Sequence, residues 1–204
     1  MHENIILDVD DTLLDWTAGF VRWCVEMGEL PRSCLSNLRA NVETLPFLTR
    51  GNQWDMNRVS EFNLSAAFEQ LPVLPGAQRL VRDLKRSGAK LWVVSAAGTG
   101  FPRTDRLRIQ QLHTVFGDVF EDILVIPLGA SKKEFIAGIA QNSLLIDDST
   151  KHVLAHKDAG RDAIWMNFRG LSEFPGIDSI CNLDEIYNLL PQLTSTLRTV
   201  ATCA

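Results

Sequence analysis

The chain has 204 residues, 46% of them hydrophobic and 22% charged, and a formal net charge of −5. That length holds one substantial domain with room for an inserted segment, and the composition excludes a disordered or fibrous chain. The acidic balance argues against a nucleic-acid polymer as partner, because a polyphosphate backbone favours a basic face.

In chain order, the first element is an aliphatic strand over Asn4 to Val9. A helix is predicted from about Leu13 to Met27, with Trp16, Phe20, Val21 and Cys24 on one face. From Gly28 to Leu74 the texture changes. Short helical pieces over Ser33 to Asn41 and Ser65 to Gln70 are broken by Pro31, Pro46 and Gly51-Asn52, and no strand is expected. Many large apolar residues in so long a connection point to a helical subdomain rather than a loop. The expected division is therefore a core of residues 1–14 and 75–204 with an inserted helical segment over 15–74.

From Pro75 the strand-helix alternation is regular. A helix runs from Pro75-Gly76 to about Arg86, followed by a strand over Lys90 to Ser95. A second pair is a helix bearing Ile109, Leu112 and Phe116, then a strand over Ile123 to Ile126. Ser131 and Glu134 read as a capping box opening the next helix. Strands over Ser143 to Asp147 and Ala163 to Met166 flank a helix from Thr150 to Ala159, and a closing helix begins near Leu183. This alternation predicts a doubly wound α/β fold with a parallel sheet covered on both faces. Residues after about Thr194 are expected to fray.

The strand ends carry the chemistry. Strand one ends in Asp8, Asp10 and Asp11, three acids that make sense beside a hard cation such as Mg²⁺. Strand two ends in Ser95 and strand four in Asp147-Asp148, while Lys132 and Lys133 open the helix between strands three and four. Carboxyl ends of parallel strands face one crevice, so these groups can converge. Together they form an inventory for phosphate-ester chemistry. It comprises a nucleophilic carboxylate, a second acid, a hydroxyl, an ammonium and a distal carboxylate. The Ser95 hydroxyl and backbone N–H groups such as that of Ala96 would hold the phosphate. His152 and His156 stand four residues apart without a third ligand and read as a solvent-facing helix, as does Arg103-Thr104-Asp105-Arg106 with Arg108. The four cysteines show no metal-ligand spacing and fit reduced thiols. No apolar run approaches the roughly 20 residues that span a bilayer, and no signal-peptide pattern is seen. A cytoplasmic location is expected.

Asp8-Val9-Asp10-Asp11-Thr12, Val93-Val94-Ser95, Lys132 and Leu144-Leu145-Ile146-Asp147-Asp148-Ser149 resemble, in order, the four motifs of the haloacid-dehalogenase-like (HAD) superfamily. The resemblance implies a Mg²⁺-dependent phosphatase acting through an aspartyl phosphate. Asp8 would be nucleophile and metal ligand. Asp10 would be general acid and then base, with its carbonyl on the metal. Ser95 and Lys132 would bind the phosphoryl group, with Lys133 as the alternative lysine. Asp148 would be a metal ligand, with Asp147 and Thr12 supporting. The second aspartate marks phosphatases and phosphotransferases and is lacking in dehalogenases, and the insertion matches the family's small helical cap.

Within the superfamily, Phe62 to Phe68, Leu74-Pro75-Gly76-Ala77 and Leu144 to Asp148 are similar to the 5′(3′)-deoxyribonucleotidases. Asp11-Thr12 departs from the Gly-Val those enzymes carry, and the Lys132-to-Asp147 spacer looks longer than theirs. A small phosphorylated metabolite such as a (deoxy)nucleoside monophosphate is the expected substrate, with Trp16, Phe20, Phe47 and Trp54 as candidate pocket residues for a base. A sugar phosphate or another small phosphomonoester is the alternative, and a non-catalytic binding module with this fold is a second. A homodimer through the insertion or the tail is compatible with the sequence.

Overall fold

A computed structural model of the chain describes residues 2–37, 49–50, 53–54, 56–139, 142–168, 170 and 174–191. β1 (Asn4–Leu7) is buried along its whole length, as an aliphatic strand covered on both faces must be. It lies between β4 (Lys90–Gly98) and β6 (Ser143–Asp147), with β5 (Phe120–Pro127) beyond β4, and β7 (Asp162–Met166) and β8 (Asp178–Ile180) beyond β6. The sheet order is β5-β4-β1-β6-β7-β8, and every pairing in it is parallel.

Side-chain alternation divides the core in two. Leu7, Leu91, Val93, Leu144 and Ile146 pack with Leu80, Val81 and Leu84 of α4 (Ala77–Arg86) and Leu112 of α5 (Pro102–Phe116). Ile6, Val94, Leu145 and Trp165 pack on the other face with Ile136 of α6 (Lys133–Ala137) and Val153 of α7 (Thr150–Asp158). The doubly wound α/β architecture expected from the sequence is therefore present.

Several bounds differ. β4 continues to Gly98, β5 starts at Phe120, and β8 extends the sheet by a strand of three residues, too short to show a period. The closing helix is a 3-10 turn (Leu183–Glu185) followed by α8 (Ile186–Leu189). The Ser131 capping box does not form: α6 begins at Lys133 with Lys132 at its cap position, and Ser131 accepts only from the Lys133 N–H at 3.3 Å. The fraying expected after Thr194 lies outside the described residues.

Between β1 and α4 stand α1 (Trp16–Glu26), a 3-10 turn (Arg32–Asn37), the antiparallel pair β2 (Thr49–Arg50) and β3 (Gln53–Trp54), α2 (Met56–Asn63) and α3 (Ala66–Glu69). The small hairpin corrects the expectation of no strand here. Trp16 stacks on Phe20 at 4.8 Å, and Phe62 meets both edge-on at 5.4 and 5.3 Å, forming an aromatic knot. The knot is continuous with the sheet core beneath it. Asn63 ties it to β4 by accepting from the Trp16 indole N–H and donating to the Ala97 carbonyl. The chain enters and leaves this segment side by side, with Asp15 N–H on the Pro72 carbonyl and Leu74 N–H on the Leu13 carbonyl.

Gly98 sits where β4 bulges against β5, and a Cβ there would come within 2.9 Å of the Ile126 carbonyl oxygen. Gly98→Ala is expected to cost about 1–3 kcal/mol through forced backbone displacement, measured by urea unfolding. An unchanged midpoint would contradict that packing.

Candidate active site

The chain leaves β1 for β4 and β5 on one side and then crosses to β6 on the other, so the carboxyl end of β1 is the switch point of the sheet. Asp8 is the first residue past β1, and its N–H continues the ladder to the Ile146 carbonyl. Register pairs Leu7 with both Val93 and Ile146, which brings Asp147 level with Asp8 and Ser95 one step further along β4.

Lys132 reaches this point from the loop before α6. Its Nζ donates to Asp8 Oδ1 at 2.5 Å and to Asp147 Oδ2 at 2.7 Å, and only 2% of the residue is exposed. Lys133 faces solvent. Asp147 Oδ1 accepts from the Ser149 N–H at 2.9 Å and lies 3.4 Å from His152 Nδ1. Asp147 is thus a saturated anchor for Lys132. Asp148 differs: its carboxylate has no hydrogen bond or ion pair among the described residues, and one oxygen from each of Asp8, Asp147 and Asp148 can lie within 4.8 Å of the others.

Ser95 is fully buried and its hydroxyl has no hydrogen-bond partner among the described residues, as is also true of Thr12. A buried donor without a partner is costly unless a ligand completes it. Ala96 follows in β4.

Asp11 departs from the expected three-acid cluster. It takes a left-handed backbone (φ 56°) and turns to the start of α1, where it accepts from the Thr17 N–H at 2.9 Å and from the Thr17 hydroxyl. Asp10 points to α5, where Arg108 Nη2 donates to its Oδ1 at 2.5 Å. Arg108 is fully buried, so the expectation of a solvated arginine face on α5 fails at this residue. The signal was helical spacing, since Thr104, Arg108, Gln111 and Leu112 share the buried stripe of α5. The expected solvent-facing histidine pair fails as well, because His156 is buried with Nε2 3.5 Å from the Ser143 carbonyl. Trp16 and Phe20 are spent on the aromatic knot, at 8% and 0% exposure, and offer no open face to a base. Phe47 and the Trp54 side chain lie outside the described residues. Cys24, Cys34 and Cys181 are free thiols.

Burial pushes the Asp8 carboxyl up to about 6, with Asp147 and Asp10 adding and Lys132 opposing. Burial likewise pushes Asp11 up to about 7 against the Thr17 hydrogen bonds. Asp148 is held well above the usual range by burial and then by Asp8 and Asp147. For Asp147 burial acts upward, but Lys132 and His152 outweigh it and hold the group low. For Lys132 burial acts against the charge, yet Asp147 and Asp8 hold its pKa above the ordinary value.

Asp8, Asp10, Asp147 and Asp148, when ionised, face the permanent cations Lys132 and Arg108 among the described residues, an excess of two negative charges when His152 beside Asp147 is neutral. Hard oxygen donors with that excess, one of them unpartnered, fit a divalent cation such as Mg²⁺. Without metal, the raised carboxyls bind more protons folded than unfolded between about pH 4 and pH 7, so stability falls as pH rises through that window. Asp147 acts in the opposite sense, only below about pH 4. In EDTA the Tm is expected to drop by roughly 5 °C between about pH 5 and pH 7.5, with Mg²⁺ restoring most of the loss at the higher pH and little at the lower. A Tm that rises over this interval in EDTA would contradict the burial of these acids.

The parallel six-stranded sheet with helices on both faces matches the fold of solved HAD hydrolases. YfnB of Bacillus subtilis, described as a HAD hydrolase and solved bound to magnesium, matches with a TM-score of 0.61 at 21% identity, over 93% of this chain and 98% of that one. A HAD phosphatase from Thermococcus onnurineus matches at 0.59 and 20%, over 92% and 97%. A dehalogenase matches at 0.60 and 15%, over 92% and 96%. At these identities the likeness is one of fold, and because phosphatases and a dehalogenase share it, the chemistry has to be argued from the site. No protein-family model matches the chain, and no curated protein matches it either. Among the described residues, no helix is long and apolar enough to cross a membrane.

Proposed function

We propose that this protein is a Mg²⁺-dependent phosphomonoesterase that works through an aspartyl phosphate on Asp8. The observation that carries the reading is a buried ammonium bonded to Asp8 with an unpartnered carboxylate beside them, while the orphaned Ser95 hydroxyl lies one register step further along β4. Asp8, Asp148 and the main-chain carbonyl of Asp10 would hold the metal, which supplies charge neutralisation for the phosphoryl oxygens when bound.

The residues themselves divide the work. Asp8 attacks phosphorus with the oxygen that Lys132 leaves free, and the P–O bond to the leaving group breaks. Asp10 delivers a proton to that leaving oxygen, then takes one from the water that hydrolyses the acyl phosphate. Lys132 and the Ser95 hydroxyl, with the Ala96 N–H, hold the non-bridging oxygens. Asp147 keeps Lys132 aimed at the nucleophile. Thr12 lies two residues after Asp10, and its buried hydroxyl has no partner among the described residues.

Asp8 and Ser95 are buried at 6% and 0% exposure while the Asp10 side chain is 25% exposed, and the inserted elements after β1 would act as a cap over a substrate bound beside Asp10. A small phosphorylated metabolite suits so buried a site. A nucleoside monophosphate remains the finer reading on the strength of the Leu74-Pro75-Gly76-Ala77 and Leu144-to-Asp148 segments, without the base stacking on Trp16 and Phe20. Phosphate release from a panel of nucleoside monophosphates and sugar phosphates, with Mg²⁺ and with EDTA, tests both levels. Metal-dependent release supports the phosphomonoesterase, and a rate advantage for nucleotides supports the narrower substrate class. No release from any ester by folded protein with Mg²⁺ would overturn the proposal.

A further inference from the structure

The ion pair of Arg108 and Asp10 joins a fully buried guanidinium to a partly exposed carboxylate. Arg108 has none of its surface exposed, and holding a guanidinium there costs more than an apolar residue of the same shape would. Its partner is 25% exposed at the side-chain level and stands two residues from the proposed nucleophile. Arg108 Nη2 grips one oxygen of Asp10 at 2.5 Å, and the other oxygen carries no hydrogen bond among the described residues. One oxygen is fixed and the second is left for the reaction.

Behind Arg108 the amide of Gln111 is fully used. Its Oε1 accepts from Arg108 Nη1 at 3.2 Å, while its Nε2 donates to the main-chain carbonyls of Phe68 at 3.1 Å and Glu69 at 3.3 Å. The guanidinium also lies 4.4 Å from the centre of the Phe68 ring. Phe68 and Glu69 belong to α3, in the inserted segment, and Arg103 closes the same seam on the Glu69 carboxylate at 3.2 Å. An unbroken set of contacts thus runs from the insertion through α5 to Asp10.

We propose that Arg108 is a positioning residue for Asp10, and that Gln111 couples this grip to the docking of α3, so that the acid is aimed at the leaving oxygen only when the inserted segment is seated. This rests on the phosphomonoesterase reading and adds to it the residue that aims the acid and the contact that makes aiming conditional. With α3 displaced, Gln111 loses both carbonyl acceptors and Arg108 loses the Phe68 ring, which frees Asp10 to turn.

The test is how strongly the first turnover depends on the leaving group, read by rapid mixing with Mg²⁺ before the acyl phosphate is hydrolysed. Glycerol phosphate needs a proton on its departing alkoxide, whereas dinitrophenyl phosphate does not. Arg108→Met is expected to slow glycerol release by about 30-fold or more and dinitrophenolate release by less than about threefold, with Arg108→Lys recovering part of the difference. Gln111→Met, which leaves the ion pair in place, is expected to show the same selectivity at roughly threefold to tenfold, and it decides the matter if Arg108→Met does not fold. Equal losses on the two esters, or no loss on either, would overturn the positioning role while leaving the phosphomonoesterase standing. Wild-type protein that cleaves neither ester would overturn that reading, and this role with it.

Discussion

Asp8→Asn is expected to lower phosphate release by a factor on the order of 10⁴ or more, because the amide keeps the shape of the carboxylate but cannot form the acyl phosphate. The fold is expected to survive, since Asp147 still pairs with Lys132 and the β1 ladder runs through main-chain groups. The loss is expected in kcat rather than in KM, because Lys132, Ser95 and Ala96 still meet the phosphate. Asp148→Asn provides the contrast: weaker activity that rising Mg²⁺ concentrations restore, read as a shift in the metal dependence. An Asp8→Asn protein that retains wild-type turnover would remove Asp8 from the reaction.

Lys132→Met is expected to be the most damaging change for stability. It leaves Asp147, which has no exposed surface, and Asp8 without their shared cation, and breaking a buried pair from one side costs about 3–5 kcal/mol. The Asp147 carboxyl, now held low mainly by Lys132, would rise. Urea unfolding in EDTA near neutral pH reads the loss, and Mg²⁺ is expected to recover part of it by taking up the same carboxylates. Lys133→Met is the control, because Lys133 is exposed and its loss is expected to stay within about 0.5 kcal/mol. Similar effects at the two lysines would contradict the site geometry.

How much of this was legible in advance follows from where each residue stands. Asp8, Asp147 and Asp148 sit at or just past the ends of aliphatic strands, with Ser95 inside the longer β4 beside them, and a parallel sheet makes such positions neighbours whatever the rest of the chain does. The sequence already favours Lys132 over Lys133, and the burial of Lys132 against Asp8 and Asp147 separates it physically from its exposed neighbour. Asp11 looked equivalent to Asp8 and Asp10, and what separates it is one left-handed residue that turns it toward Thr17. Helical spacing put Arg108 on the buried stripe of α5, but what Arg108 and His156 meet was not legible. A polar residue on a helix is buried or solvated according to what packs across from it, here Phe68 and the Ser143 carbonyl, and those partners are distant in sequence. β2, β3 and β8 have two or three residues each, fewer than a period-two pattern needs to show itself. The aromatic residues of the insertion read equally well as pocket or core, and the mutual stacking of Trp16 and Phe20 decides for core.

The most direct test of the central claim is to quench the protein in acid during turnover of a phosphomonoester with Mg²⁺ and map the phosphoryl group by peptide mass spectrometry. The account predicts one phosphoryl group on the peptide that carries Asp8, more abundant in Asp10→Asn because the base for its hydrolysis is missing, and absent in Asp8→Asn. Continued phosphate release with no phosphoryl group on that peptide, or with the group on another side chain, would contradict it.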